Sequence, residues 1–293
     1  MACLALFLAT GCAPGVVAGS EGDREARGGP LQVNGSTTVA PIVVRASEAL
    51  AESLGLEIRV DVQGGSSGGI SQLADGLVEV GLSSRPIQEG DRERFPGCDF
   101  RPIRIGVDAV AIAVSRAVVD GGVRSVTRSE ARALFEGRIE RWSELGGPDL
   151  PVFVYDKEPG RGTREVFERW LYGDEVAPPA SFERYAQVGG NEEGAAKTAA
   201  HGSAVTLLSA AWVEREPGLA ALGIRDATGR VTLPTSATIA TGAYPLARSL
   251  FVVTDGPPRG SAATLVDYLL GDAGQELVRA EGYLGNGDLS AGE

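Results

Sequence analysis

Short apolar runs alternate along the chain with longer stretches in which apolar residues recur every three or four positions. That alternation predicts strands feeding helices, the pattern of an α/β fold. Residues 31–34 (LQVN) read as a strand. Between Ile42 and Leu54, the residues Ile42, Val43, Ala46, Ala49 and Leu50 fall on one helical face, with Pro41 tolerated in the first turn. EIRVDVQ (57–63) alternates as a strand, Ile70, Leu73, Ala74 and Leu77 share a helix face, and VEVGLS (78–83) reads as a third strand. VDAVAIAVS (107–115) predicts a long strand. Thr127 and Glu130 have the spacing of a capping box ahead of the inward-facing Ala131, Leu134 and Phe135. VFVY (152–155) precedes the helix TREVFERWLYG, whose apolar stripe is Val166, Phe167, Trp170 and Leu171. Glu165 and Arg169 are spaced to pair on its outer face. AVTLL (204–208) and LFVVT (250–254) read as strands, the second followed by helices over 261–270 and 272–281. Such alternation implies mostly parallel pairing, with ligands outside the carboxyl ends of the strands.

Three of the strand-to-helix turns share one chemistry. They are Gly35-Ser36-Thr37-Thr38, Gly64-Gly65-Ser66-Ser67-Gly68-Gly69 and Pro159-Gly160-Arg161-Gly162-Thr163. The first N–H groups of a helix lack partners, and its dipole favours negative charge there. Glycine lets the backbone come close to a ligand, and hydroxyls add donors that lose water at less cost than charges. A fourth stretch, Ser83-Ser84-Arg85, adds hydroxyls and a guanidinium. The ordinary alternative is that Ser and Thr cap helices and Gly makes turns. One oxyanion, with its several oxygens, is a ligand that all three turns can share. The second turn also fits Gly-x-Ser-x-Gly with Ser67 central, the pattern of a hydrolase nucleophile elbow. The base would have to be His201, the only histidine, which the pattern places at a helix end.

Composition narrows the choice. A chain of 293 residues suggests two domains, and 43% hydrophobic content is enough for real cores. A net charge of −12 disfavours nucleic acid and makes any anion site depend on local donors. The opening MACLALFLATGC carries a short apolar segment that reads as a signal peptide over 1–12. Ala9-Thr10-Gly11-Cys12 resembles a lipoprotein processing site, with Cys12 as the lipidated residue and membrane anchor. Ala9 stands where Leu is usual and no basic residue precedes the apolar run, so an ordinary signal peptide is the alternative. Residues 13–30 read as a flexible tether. Cys98 is then the one cysteine left, with no partner for a disulfide; no metal-type Cys/His spacing exists, and neither metal nor cofactor is expected. A monomer is expected.

Several stretches, in order, resemble the phosphate-binding proteins that serve bacterial ABC-type phosphate importers. They are GSTTVAP, GGSSGGI, VGLSSRPI, ALFEGRIERWSELGG, EPGRGTREVFERWL, YPLARSLF and GQELVRAEGYL. The resemblance covers roughly residues 31–285 and implies a two-lobed periplasmic binding protein-like α/β fold of the second type. One lobe would comprise 31–110 and 245–293, the other 111–244, each a mixed, mostly parallel sheet flanked by helices, with two hinge crossovers. It implies capture of inorganic phosphate between the lobes, delivery to ABC transporter permease subunits and no catalysis. Thr37, Thr38, Ser66, Gly162 and Thr163 would contact the anion. With the residues read above, the candidate set is Ser36, Thr37, Thr38, Ser66, Ser67, Ser84, Arg85, Lys157, Arg161, Gly162 and Thr163. Two departures bear on the ligand. Lys157 stands where the family usually has Arg, and Arg161 where it has Ser. Ser84 stands where some members carry an aspartate that accepts the phosphate proton. Sulfate, molybdate or a sensing role therefore stay open beside phosphate transport.

Overall fold

The computed structural model describes residues 29–180 and 182–289, so Cys12, the signal-like segment and most of the tether lie outside the described residues. Strand β1 (Leu31–Gly35) pairs in parallel with β2 (Ile58–Asp61) on one side and β3 (Val80–Ser83) on the other. Helix Ala40–Leu54 joins β1 to β2, buries Ile42, Val43, Ala46 and Leu50, and ends on Gly55 in the left-handed region. Helix Gly65–Ala74 joins β2 to β3. It is shorter than its apolar spacing implies: Gly76 turns left-handed (φ 66°) just beyond it, and Leu77 is 66% exposed instead of facing the core.

Strand β4 (Phe100–Ser115) is 16 residues long, beyond the 107–115 read from the sequence, because Arg101, Pro102 and Arg104 interrupt the apolar run in its first half. The capping box forms after β5 (Ser125–Val126): Thr127 Oγ1 accepts from the Glu130 N–H, and the Thr127 N–H donates to Glu130 Oε2 at 2.7 Å. Next come β6 (Phe153–Lys157), β7 (Tyr185–Val188), β8 (Ala204–Ser209), β9 (Leu219–Arg225) and β10 (Val231–Thr232). Here β6 pairs in parallel with β7 and β8, while β4 takes β8 and β9 as antiparallel neighbours. The last strand, β11 (Ala247–Asp255), lies antiparallel between β3 and β4. Pairing is thus mixed instead of mostly parallel: β1–β3 and β6–β8 pair in parallel, while β4 and β11, which link the two halves, and the β9–β10 pair are antiparallel.

That division makes two lobes. The first part of β4, Phe100–Ala109, pairs with β11; the last part, Val110–Ser115, pairs with β8 and β9. One strand therefore carries the chain out of the first sheet, and β11 carries it back. Each lobe has its own core. Leu31, Val43, Leu82, Leu250, Leu265 and Val278 belong to one, and Val110, Ile112, Trp142, Phe167, Leu207 and Leu222 to the other. The carboxyl ends of β1 and β3 in one lobe and of β6 and β7 in the other open toward the same gap. Gly35 makes the first of these turns possible: its φ is 144°, and a Cβ there would overlap the Leu82 carbonyl oxygen. With no side chain in the way, the Ser36 N–H donates to Leu82 O at 2.9 Å.

Candidate anion-binding site

The gap between the lobes closes on a cavity of about 10 Å³, the scale of one compact species rather than a sugar or nucleotide (~10–15 Å³ holds a water). It is lined by Ser36, Thr37, Thr38, Gly65, Ser66 and Ser84 from one lobe, and by Lys157, Arg161, Gly162, Thr163, Gly189 and Asn191 from the other. All three hydroxyl-rich turns converge there at the starts of helices 40–54, 65–74 and 162–172. A fourth helix, Asn191–His201, adds its own amino end through Gly189 and Asn191. No carboxylate is among the lining residues.

The hydroxyls are wired as donors. Arg248 of β11 sits directly opposite Asp108 of β4 in the strand register, and both are buried. Its Nη2 pairs with Asp108 Oδ2 at 2.8 Å, and Ser209 Oγ donates to the other carboxylate oxygen at 2.8 Å. The rest of the guanidinium faces the cavity wall. It donates to Thr163 Oγ1 at 2.9 Å, Thr38 Oγ1 at 3.2 Å and Ser84 Oγ at 3.3 Å. Asn191 Nδ2 also donates to Thr38 Oγ1 at 3.1 Å, and the Ser84 N–H to Ser66 Oγ at 3.1 Å. A hydroxyl whose oxygen accepts from the protein keeps its O–H free to donate. The wall therefore presents a set of oriented donors around one point, an arrangement suited to an oxyanion and costly to leave around a cation.

Three cations surround this array, and two are neutralised at source. Arg248 has Asp108, and Arg161 has Glu158, Nη2 to Oε2 at 2.6 Å. Lys157, the last residue of β6, is 1% exposed, and its Nζ donates to Gly190 O at 2.5 Å. Among the described residues it makes no ion pair. Burial, with Arg161 nearby, pushes the Lys157 ammonium down to about 7. A lysine depressed in the folded state binds fewer protons there than when unfolded, so its stability contribution grows from neutral pH upward and is lost as pH falls through about 7. Anion-free protein is therefore expected to gain melting temperature relative to Lys157→Met between about pH 7 and about pH 10.4, the window between the folded value and the ordinary lysine value. Paired thermal melts across that range check it; parallel curves would contradict it.

Two residues read as anion contacts, Ser67 and Arg85, stand outside the lining. The Arg85 guanidinium pairs with Asp91 (Nη1 to Oδ2 2.6 Å) and with Glu165, and it donates to Ser67 Oγ at 3.0 Å. Ser67 Oγ in turn donates to Glu165 Oε1 at 2.9 Å. Glu165 thus pairs across the gap with Arg85 instead of with Arg169, whose partner is Asp174 at 3.0 Å. The Ser67 N–H adds a bond to Gly160 O at 3.0 Å, and Arg161 Nη1 reaches Val62 O at 3.4 Å. These contacts join the lobes at the rim, beside the cavity. His201 packs against Phe153 and Tyr155 and lies 3.4 Å from Ser203 Oγ, so no base is brought to Ser67. Cys98 is partly buried, and burial pushes its thiol up to about 12, which leaves it unreactive near neutral pH. Among the described residues no His/Cys/Asp/Glu group is arranged to hold a metal.

Arg248, Asp108 and Asn191 are the residues at the cavity and behind its wall that sequence reasoning did not pick out. A signal existed for two of them, since each puts a charge inside an apolar strand, in LARSLFVV and VDAVAIAVS.

Two lobes on paired crossover strands, closing donor-lined turns over a small cavity, define a cleft-type solute-binding protein. Comparison with known proteins gives the family: the model for the PBP superfamily domain matches residues 19–273, and the chain belongs to that family. Its relatives include the phosphate-binding protein PstS of Bacillus subtilis, 28% identical over 272 residues, 89% of this chain and 82% of that protein. PstS of Borreliella burgdorferi is 23% identical over 266 residues, 87% of this chain and 89% of that protein. Among solved structures, a candidate phosphate ABC transporter substrate-binding protein of Clostridium perfringens, with bound phosphate, superposes with a TM-score of 0.76 at 22% identity. The match covers 88% of this chain and 99% of that one. An ABC-type phosphate transport receptor of Vibrio cholerae gives 0.69 at 23% identity, covering 87% and 99%. These structural likenesses establish the fold.

Proposed function

We propose that this protein is an extracytoplasmic solute-binding protein that captures inorganic phosphate in the interlobe cavity and delivers it to the permease of an ABC transporter. The observation that carries the reading is the donor array: hydroxyls held as donors by Arg248 and Asn191, with helix amino ends from both lobes facing one small cavity. The PstS relatives are phosphate-binding proteins, which supports phosphate as the anion. In this reading the lobes are 31–110 with 245–293, and 111–244. Ser36, Thr37, Thr38, Ser66, Ser84, Gly162 and Thr163 hold the oxygens, and Lys157 and Arg161 supply charge. Cys12 is the lipid anchor, and the protein works as a monomer without catalysis. Closing the lobes marks the loaded state for the permease.

A thermal-shift panel on anion-stripped protein tests the ligand. Phosphate at a hundredfold excess over Kd should add about 2.7 kcal/mol of stability, with arsenate behaving alike and sulfate, molybdate and nitrate ineffective at equal ionic strength. A shift with sulfate or molybdate alone would change the ligand and keep the fold; no shift with any anion would overturn the reading.

A further inference from the structure

The chain contains only two lysines, Lys157 and Lys197, among 27 lysines and arginines. One lies on the surface, paired with Glu193 at 2.6 Å. The other is sealed in the wall of the anion cavity. Elsewhere this protein uses arginine, a cation that stays charged at any working pH. Of its two exceptions, the buried one is the cation set deepest in the cavity lining.

The slot that holds Lys157 is shaped for it. A Cβ on Gly194 would come within 2.7 Å of Lys157 Nζ, so the helix surface is bare where the amine lies. Gly190 O accepts one of its hydrogens at 2.5 Å. Several charged groups face it. Asp156 neighbours it on β6, Glu158 and Arg161 lie in the following turn, Glu193 projects from helix 191–201 and Arg248 from β11. The carboxylates already have partners. Asp156 pairs with Arg164 at 3.1 Å, Glu158 with Arg161 at 2.6 Å, Glu193 with Lys197 at 2.6 Å and Asp108 with Arg248 at 2.8 Å. With Arg161 and Arg248 matched by carboxylates, the net charge offered to a ligand is decided by whether Lys157 carries its proton.

We propose that Lys157 is the charge-setting residue of this site: the phosphate dianion binds together with one proton, and that proton resides on the Lys157 Nζ. The inference rests on the phosphate reading above and adds the protonation state of the complex. Proton and anion need each other. Without the anion, an ammonium this buried beside two guanidinium groups is disfavoured; without the ammonium, a dianion has only matched ion pairs and neutral donors to face. The proton comes from bulk solvent when the dianion enters, or from the ligand itself when the monoanion enters, and the complex has the same composition by either route. Affinity for the dianion should therefore fall about tenfold per pH unit above about pH 7, as one coupled proton requires.

The test is direct because two lysines give two signals. Full-length protein carrying 13C at lysine Cε is stripped of anion, and Lys197→Arg assigns the spectrum. The Lys157 signal should titrate near neutral pH in the stripped protein. On saturation with phosphate at about pH 9, where an unperturbed lysine is still charged, it should move to the position of a protonated lysine. Titration calorimetry of the same protein in two buffers of different ionisation enthalpy should show one proton taken up. Phosphate binding with the Lys157 signal unmoved would overturn the proposal: it would put any proton on the ligand, or show no coupling. No heat of binding at any pH would remove the phosphate reading and the proposal with it.

Discussion

Arg248→Met is expected to abolish phosphate binding and to destabilise the protein by about 3–5 kcal/mol, the range for breaking one side of a buried ion pair. The two effects have separable causes. Stability falls because Asp108, 2% exposed, loses the one cation it pairs with among the described residues and keeps its charge in a buried strand pair. Binding falls because Thr38, Thr163 and Ser84 lose the donor that turns their O–H groups into the cavity. Each hydroxyl so oriented would give the anion a charged hydrogen bond of about 1.5–3 kcal/mol, so losing the orientation of three makes an affinity loss of at least a hundredfold a conservative expectation. The double variant Arg248→Met, Asp108→Leu separates the causes, because it removes the stranded carboxylate without restoring the donors. It should regain most of the chemical stability and none of the affinity. Urea unfolding and calorimetry on the three proteins check this; a double variant that binds would mean Arg248 acts on the fold alone.

Gly162→Ala should give the opposite pattern. A Cβ at residue 162 would overlap Ser66 Oγ and lie 2.7 Å from Ser84 Oγ, both on the other side of the gap. The helix loses nothing, since Ala is favoured over Gly there by roughly 0.5–1 kcal/mol. Neither core is touched, because residue 162 faces only the cavity. The variant should therefore melt within about 1 kcal/mol of the parent without anion and bind phosphate at least about a hundredfold more weakly, the equivalent of ~2.7 kcal/mol. Wild-type affinity would mean the lobes bind without closing to the separation seen here.

These two residues mark what a sequence can and cannot disclose. Gly162 was legible because a turn rich in Gly and Thr after an apolar run has few readings, and the chemistry of one turn repeats in the others. Arg248 was not, although it lies in a stretch that carried the family resemblance. Its meaning depends on Asp108, 140 residues away, and the register that puts them opposite is set by strand pairing and by the shift at Leu250/Phe251. Asn191 was hidden for a simpler reason: β7 is a short edge strand with one buried residue, so no apolar run announced the turn after it. Arg85 and Ser67 were read from their chemistry alone. Glu165, in the first turn of its helix, reaches them across the rim and leaves Arg169 to Asp174, a choice that i, i+4 spacing on one helix does not show.

The central claim is that one phosphate sits between the lobes on donors that only the closed cleft assembles. Titrating phosphate into anion-stripped protein by calorimetry, beside Gly162→Ala at the same concentration, tests it most directly. The expected result is one phosphate bound per chain, with sulfate silent and the variant nearly so. No heat with phosphate, or equal affinity in protein and variant, would contradict it.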